Sequence, residues 1–103
     1  MHEVLKLLGL ATRAKKIISG EEFCIAAIRK NQIKYLILAS DAGVNTTKRI
    51  TDKANFYNVT VDTSFTSAEL SGAIGKNNRK VIGVIDIGFA KKMKEIRWLY
   101  GKR

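Results

Sequence analysis

Apolar residues recur along this chain with helical and extended spacings in turn. Val4, Leu7, Leu8 and Ala11 fall at i, i+3, i+4 and i+7, one face of a helix. Ile17 and Ile18 form a very short strand after Arg13, Lys15 and Lys16. Ser19-Gly20-Glu21-Glu22 reads as a capping box, with Ser19 as N-cap and Glu22 three residues on. It predicts a helix from Gly20 to about Lys30, ended by Asn31. Tyr35-Leu36-Ile37-Leu38-Ala39 is a continuous apolar run of strand length, as expected of a strand buried on both faces. Ser40-Asp41-Ala42-Gly43 breaks it. Ile50, Ala54 and Tyr57 then predict a helix over about Asn45 to Phe56. Val59 and Val61 alternate with Thr60 and Asp62, the pattern of a half-buried strand. Thr66-Ser67-Ala68-Glu69 is a second capping box, opening a short helix that ends near Gly72 or Gly75. Beyond the polar loop of residues 76–80, Val81 to Ile85 is another buried-strand run. Phe89, Met93, Ile96 and Tyr100 mark a closing amphipathic helix, with Lys91, Lys92, Lys94 and Arg97 on its other side.

The order α-β-α-β-α-β-α-β-α predicts an α/β fold, a three-layer α-β-α sandwich with helices on both faces of a small four-stranded mixed sheet. The chain has 103 residues, so one domain over residues 1–103 is expected. Proline is absent, which leaves the turns to Gly, Asn, Asp and Ser. The single cysteine, Cys24, forms no internal disulfide, as in a reducing compartment. No apolar run reaches the roughly 18 residues of a membrane span, and no basic stretch precedes an apolar one at the start. A cytoplasmic protein without a membrane partner is the expectation, with a monomer as the default.

Charge changes the picture most. Nineteen Lys and Arg stand against nine Asp and Glu, a formal charge of +10. Residues 66–103 hold nine of the basic and three of the acidic residues, while residues 31–65 hold four and three. So uneven a balance predicts a face for a polyanion, nucleic acid first and an anionic membrane surface second.

Catalytic chemistry has little to build on. His2 is the only histidine, at a terminus expected to be mobile, and Cys24 lies among apolar residues as a small core hydrophobe. One Cys and one His do not make an ordinary zinc site. Gly75-Lys76 lacks the earlier glycine and the following Ser or Thr of a Walker loop. Asp41, Asp52, Asp62 and Asp86 are spread without metal-loop spacing. A non-enzyme with no cofactor and no metal is expected.

A polyanion surface is easier to assemble. The turn after the first strand is expected to place a helix N-terminus beside Lys15 and Lys16, where Gly20 admits a close backbone. Glu21 and Glu22 repel phosphate but can accept hydrogen bonds from base edges while neighbouring lysines hold the backbone. Capping of its own helix is the simpler use of Glu22. RNA exposes such edges where its helix is bent or unpaired.

Leu8-Gly9-Leu10-Ala11-x-Arg13-Ala14-x-Lys16, Ile18-Ser19-Gly20-Glu21, Leu38-Ala39-Ser40-Asp41-Ala42 and Glu69-Leu70-x-x-Ala73-Ile74-Gly75 follow in order over nearly the whole chain. In these the sequence resembles the L7Ae/L30e ribosomal-protein family, and within it the small bacterial members. The resemblance implies an α-β-α sandwich that binds kink-turn RNA, reading tandem sheared G·A pairs with a Gly-x-Asn-Glu-x-x-Lys motif on its second helix. Here Gly20 matches, Glu22 stands for Asn, Phe23 for Glu and Ala26 for Lys. By the same resemblance Asp41, Ala42, Gly43 and Thr47 border a flipped-out nucleotide, and the loop carrying Lys76, Arg79 and Lys80 forms a third contact. A strand-end turn is the plainer use of Asp41, and a solvated loop that of residues 76–80.

The expected function is therefore binding of bent, structured RNA, ribosomal or regulatory, with the ribosome as a candidate partner. Gly20, Glu21 and Glu22 would meet bases, and Lys15, Lys16, Lys76, Arg79 and Lys80 phosphates. The alternative is a ribosome-associated protein-interaction module, or a basic RNA binder without motif reading. It follows from the departures at Glu22, Phe23 and Ala26.

Overall fold

A computed structural model describes residues 2–101, with side chains through Leu99. In chain order the elements are α1 (Glu3–Arg13), β1 (Ile17–Ser19), α2 (Glu21–Arg29), β2 (Tyr35–Leu38), α3 (Val44–Phe56), β3 (Val61–Asp62), α4 (Ser67–Ile74), β4 (Val81–Val84) and α5 (Ile87–Gly101). The strands form one mixed sheet in the order β1-β4-β2-β3. β4 runs antiparallel to both β1 and β2, pairing Ile17 with Val84 and Tyr35 with Val84, while β2 and β3 are parallel.

The three-layer sandwich follows from the strand pleat. Tyr35, Ile37, Ile82 and Val84 face one side and pack with Val4, Leu8, Leu70 and Met93 of α1, α4 and α5. Leu36, Leu38 and Val81 face the other and pack with Ile25, Ile28, Ile50 and Ala54 of α2 and α3. The predicted stripes of α1, α3 and α5 face inward as expected, although Leu7, Tyr57 and Phe89 are only partly buried. Tyr100, the last position of the closing stripe, lies outside the described side chains. Cys24 is buried, and burial pushes its thiol up to about 12.

Three local expectations are corrected. His2 is held in place: its Nδ1 accepts from the Val4 N–H at 3.1 Å, capping α1, and its ring meets Phe65 edge-on at 5.0 Å. Ser19 does not cap α2. It pairs with Ile82 as the last residue of β1, and the Gly20 N–H extends the ladder to the Val81 carbonyl at 2.9 Å. The turn therefore falls on Gly20, whose φ of 106° favours glycine, and no side chain caps the helix. The capping box at Thr66 and Glu69 does form, and Gly75 ends α4 in the left-handed region at φ 73°.

Asp62 is the third. Alternation along β3 put it on the solvated face, yet it is 3% exposed. The Tyr35 hydroxyl donates to its Oδ2 at 2.6 Å, the Ser64 N–H to its Oδ1 at 3.0 Å, and the Arg97 Nε lies 3.1 Å from Oδ2. Arg97 thus leaves the solvent side of α5 expected for it and ties that helix to the end of the sheet. Burial and the adjacent carboxylate hold the Tyr35 hydroxyl well above its usual pKa.

Asp62→Ala strands a buried hydroxyl and an arginine together. A loss of about 2–3 kcal/mol in urea unfolding is expected. A change below about 0.5 kcal/mol would mean that water replaces the carboxylate without penalty.

Candidate nucleic-acid interface

Because β4 is reversed between β1 and β2, the C-terminal ends of β1, β2 and β3 lie together with the N-terminal end of β4. α2, α3 and α4 follow those three strands, so all three begin at one end of the sheet. Their capping differs. α1 is capped by His2, α4 by Thr66, and the Asp86 carboxylate accepts from Phe89 N–H in the first turn of α5. α2 and α3 begin at Gly20 and Gly43, and neither has a side-chain cap. Their first-turn N–H groups point out of the protein, the arrangement that favours an anion. A Cβ built at Gly43 would meet nothing within 4 Å, so a ligand backbone can come close there.

Glu21 and Glu22 oppose that field, and α3 neutralises them. Arg49 reaches across from α3 and holds Glu22 through both carboxylate oxygens, NH2 to Oε1 at 3.0 Å and NH1 to Oε2. The same NH1 lies 3.0 Å from Glu21 Oε2, and the Thr46 hydroxyl donates to Glu21 Oε1 at 2.7 Å. The Arg49 guanidinium draws the Glu22 carboxyl below its usual pKa, and the two carboxylates raise that of Arg49. The fork geometry suits arginine and not lysine. Glu22 thus pairs with the neighbouring helix instead of capping its own.

On the other side of β4, Asp41 is already engaged. Its Oδ1 accepts from the Ser67 N–H at 2.8 Å and its Oδ2 from the Ser67 hydroxyl at 2.9 Å, fastening the end of β2 to α4. Those bonds, with a smaller contribution from Lys80, hold its carboxyl below the usual value. Ala42 closes a turn onto the Ala39 carbonyl, and the Thr47 hydroxyl donates to the Ala42 carbonyl at 3.4 Å. The basic loop borders both sides. Lys80 and Asn78 line a cleft of about 340 Å³ with Gly20, Glu21 and Thr46. Lys76, Asn77 and Asn78 line another of about 560 Å³ with Ser67 and Ser71. Arg79 is half-buried, its N–H bonded to the Ser71 hydroxyl at 2.9 Å.

The end of the sheet therefore gathers Gly20, Glu21, Glu22, Asp41, Ala42, Gly43, Thr47, Lys76, Arg79 and Lys80. It does not gather Lys15 and Lys16. These precede β1, and the Lys16 carbonyl accepts from Ile85 N–H at the opposite end of β4. The expectation that they flank the α2 N-terminus fails because β1 runs between them and Gly20. Thr46 and Arg49 were missed: their roles exist only once α3 lies against α2. The available signal was their i, i+3 spacing on one helical face. Phe23, 73% exposed, and exposed Ala26 lie on α2 beyond Gly20.

The molecule is thus a small α/β sandwich whose uncapped helix starts and basic loop share one end of a mixed sheet. The chain belongs to the ribosomal protein L7Ae/L30e/S12e/Gadd45 family, whose model matches residues 2–94. It is 47% identical over 95 residues to an RNA-binding protein YlxQ of Enterococcus faecium, covering 92% of this chain and 91% of that one. A Bacillus subtilis (strain 168) protein of the same name is 45% identical over 91 residues, covering 88% and 91%. The fold matches a Bacillus halodurans protein of unknown function with a TM-score of 0.90 at 41% identity, over 93% and 97% of the two chains. A Giardia lamblia 15.5kD RNA binding protein shares the fold at TM-score 0.80 and 14% identity, over 93% of this chain and 86% of that one. Among the described residues no helix is long and apolar enough to cross a membrane, and no group of three His, Cys, Asp or Glu is placed to hold a metal.

Pairing with Arg49 favours ionised Glu22. The interaction is present above the ordinary carboxylate pKa of about 4.3 and is lost as pH falls through the lowered folded value. A carboxyl-carbon NMR titration should place the Glu22 midpoint below the ordinary value, and Arg49→Gln should raise it. An unmoved midpoint in the variant would contradict the contact.

Proposed function

We propose that the protein binds structured RNA at the end of the sheet where α2, α3 and α4 begin, and that it bends or steadies the RNA without chemistry of its own. The observation that carries this is the pair of adjacent uncapped helix starts at Gly20 and Gly43, bordered by Lys80. The two relatives named as RNA-binding proteins support it, as does a formal charge of +10. Phosphates would meet the first-turn N–H groups and Lys76, Arg79 and Lys80. Glu21 and Glu22 keep lone pairs beyond those used by Arg49 and Thr46, and these can accept from the amino and imino groups of a guanine. The turn Asp41-Ala42-Gly43, with Thr47 behind it, would border an extruded base. The RNA we favour is a sharply bent internal loop with sheared G·A pairs, in ribosomal or regulatory RNA.

Arg49 makes the arrangement tolerable to phosphate. Without it two carboxylates face the RNA at the α2 N-terminus. Arg49→Ala should weaken RNA binding roughly tenfold, about 1.4 kcal/mol. Adding Glu21→Gln and Glu22→Gln should recover much of the loss. Failure of the added substitutions to recover binding would mean that Arg49 touches RNA directly.

Motif reading is tested by comparing a kink-turn RNA with the same duplex carrying Watson–Crick pairs in place of the G·A pairs, at two salt concentrations. A preference of roughly tenfold or more that survives the higher salt is expected. Equal binding that collapses with salt would reduce the protein to a basic RNA binder. Exposed Phe23 and Ala26 favour a second reading, docking of a protein partner on α2. Phe23→Ser would then spare RNA binding and abolish association with that partner.

A further inference from the structure

The end of the sheet opposite the uncapped helix starts also gathers cations. Lys16 and Lys34 flank the C-terminal end of β4: the Lys16 carbonyl accepts from Ile85 N–H at 2.9 Å, and the Lys34 N–H donates to the Val84 carbonyl at 2.8 Å. Two strand spacings separate them, about 10 Å. Lys15 adjoins one, and the tight turn after α2 carries Lys30 beside the other. Asp86 is the carboxylate nearest in sequence to this strand end, and it is occupied by the Phe89 N–H at 2.9 Å.

Helix dipoles explain part of this charge. α1 and α2 end here, and cations near a helix C-terminus are favourable. That accounts for Arg13 and Arg29, in the last turns. It accounts for Lys34 through its Nζ, which donates to the Asn31 carbonyl at 3.0 Å. Lys15 and Lys16 lie beyond α1, are exposed, and make no side-chain hydrogen bond or ion pair among the described residues. Lys15 also sits at φ 59°, where glycine or asparagine fits with less strain, so a cation is held there against backbone preference.

We propose that this end is a second RNA-binding face, which takes the phosphate backbone of another RNA segment without reading its sequence, so that the protein bridges two segments. It rests on the reading above that the other end holds bent RNA. The faces are at least the length of β4 apart, roughly 13 Å, beyond the screening length of about 8 Å at physiological salt. Each can therefore bind while the other is filled. RNA is favoured over a lipid surface because these lysines sit in the turns between helices and strands, not along one amphipathic helix face, and the exposed Ile87 beside them is a single apolar side chain.

The test saturates the protein with kink-turn RNA and then adds a second, fully paired RNA duplex carrying a fluorophore, at low salt. A ternary complex is expected. Lys15→Asn combined with Lys16→Gln should leave kink-turn binding within about twofold and weaken duplex capture by roughly tenfold; asparagine suits the left-handed backbone at residue 15. Circular dichroism verifies that the variant is folded. Absence of a ternary complex, displacement of the first RNA by the second, or unchanged capture by the variant would each overturn the proposal. Capture of phosphatidylserine vesicles in place of duplex would overturn it in favour of a membrane. If kink-turn RNA itself does not bind, the reading of the other face fails. The duplex arm, run alone, still decides this one: capture lost in the variant supports it, and capture retained or never seen overturns it.

Discussion

The reversal of β4 between β1 and β2 is the constraint on which the rest depends. A strand antiparallel to both neighbours in the centre of the sheet turns the C-terminal ends of β1, β2 and β3 to one side. The helices that follow them must start there. Helix starts expose N–H groups, and a shared edge adds their fields. The same reversal brings the loop before β4, with Lys76, Arg79 and Lys80, to that edge, and sends Lys15 and Lys16 to the far one. Core packing, helix polarity and the placement of cations are consequences of one strand direction.

Within that edge the electrostatics are decided side chain by side chain. Two carboxylates at the start of α2 are favourable to the helix and unfavourable to phosphate. Arg49 reconciles the two by carrying a charge across from α3. Asp41 is treated differently: it is consumed by Ser67 and serves to pin α4 against the end of β2. What remains open to a ligand is backbone, in the first-turn N–H groups that follow Gly20 and Gly43, together with the exposed Lys76 and Lys80. Such a surface suits a polymer of phosphates with occasional exposed base edges better than a compact metabolite.

Much of this was legible in the chain itself. The buried runs at Tyr35 to Ala39 and Val81 to Ile85, the stripe of α1 and the capping box at Thr66 all signal through spacing, which depends on neighbours in sequence. The misreadings share one cause. Ser19-Gly20-Glu21-Glu22 satisfies the letters of a capping box, but pairing of Ser19 with Ile82 fixes that residue in a strand, a fact held 63 residues away. Asp62 looked solvated because Arg97 and Tyr35, its partners, are distant in the chain. Lys15 and Lys16 looked adjacent to Gly20 because four residues are few, yet an intervening strand turns nearness in sequence into opposite ends. The i, i+3 spacing of Thr46 and Arg49 marks a shared helical face, but their partners Glu21 and Glu22 lie 25–28 residues away, so the spacing alone does not show what that face meets. Gly20 entered the expected site through the turn after the first strand, and Asp41 and Lys80 through the family resemblance; the structure brings all three to one end of the sheet.

The measurement closest to the central claim is amide chemical-shift mapping of the labelled protein as kink-turn RNA is added. The account predicts that the largest changes fall on residues 20–23, 43–47 and 78–80 with a single RNA bound, while the sheet centre and the α4–α5 face stay still. Changes confined to α5, or centred on the exposed apolar face of α2 with residues 43–47 silent, would contradict it and remove the uncapped helix starts from the interface.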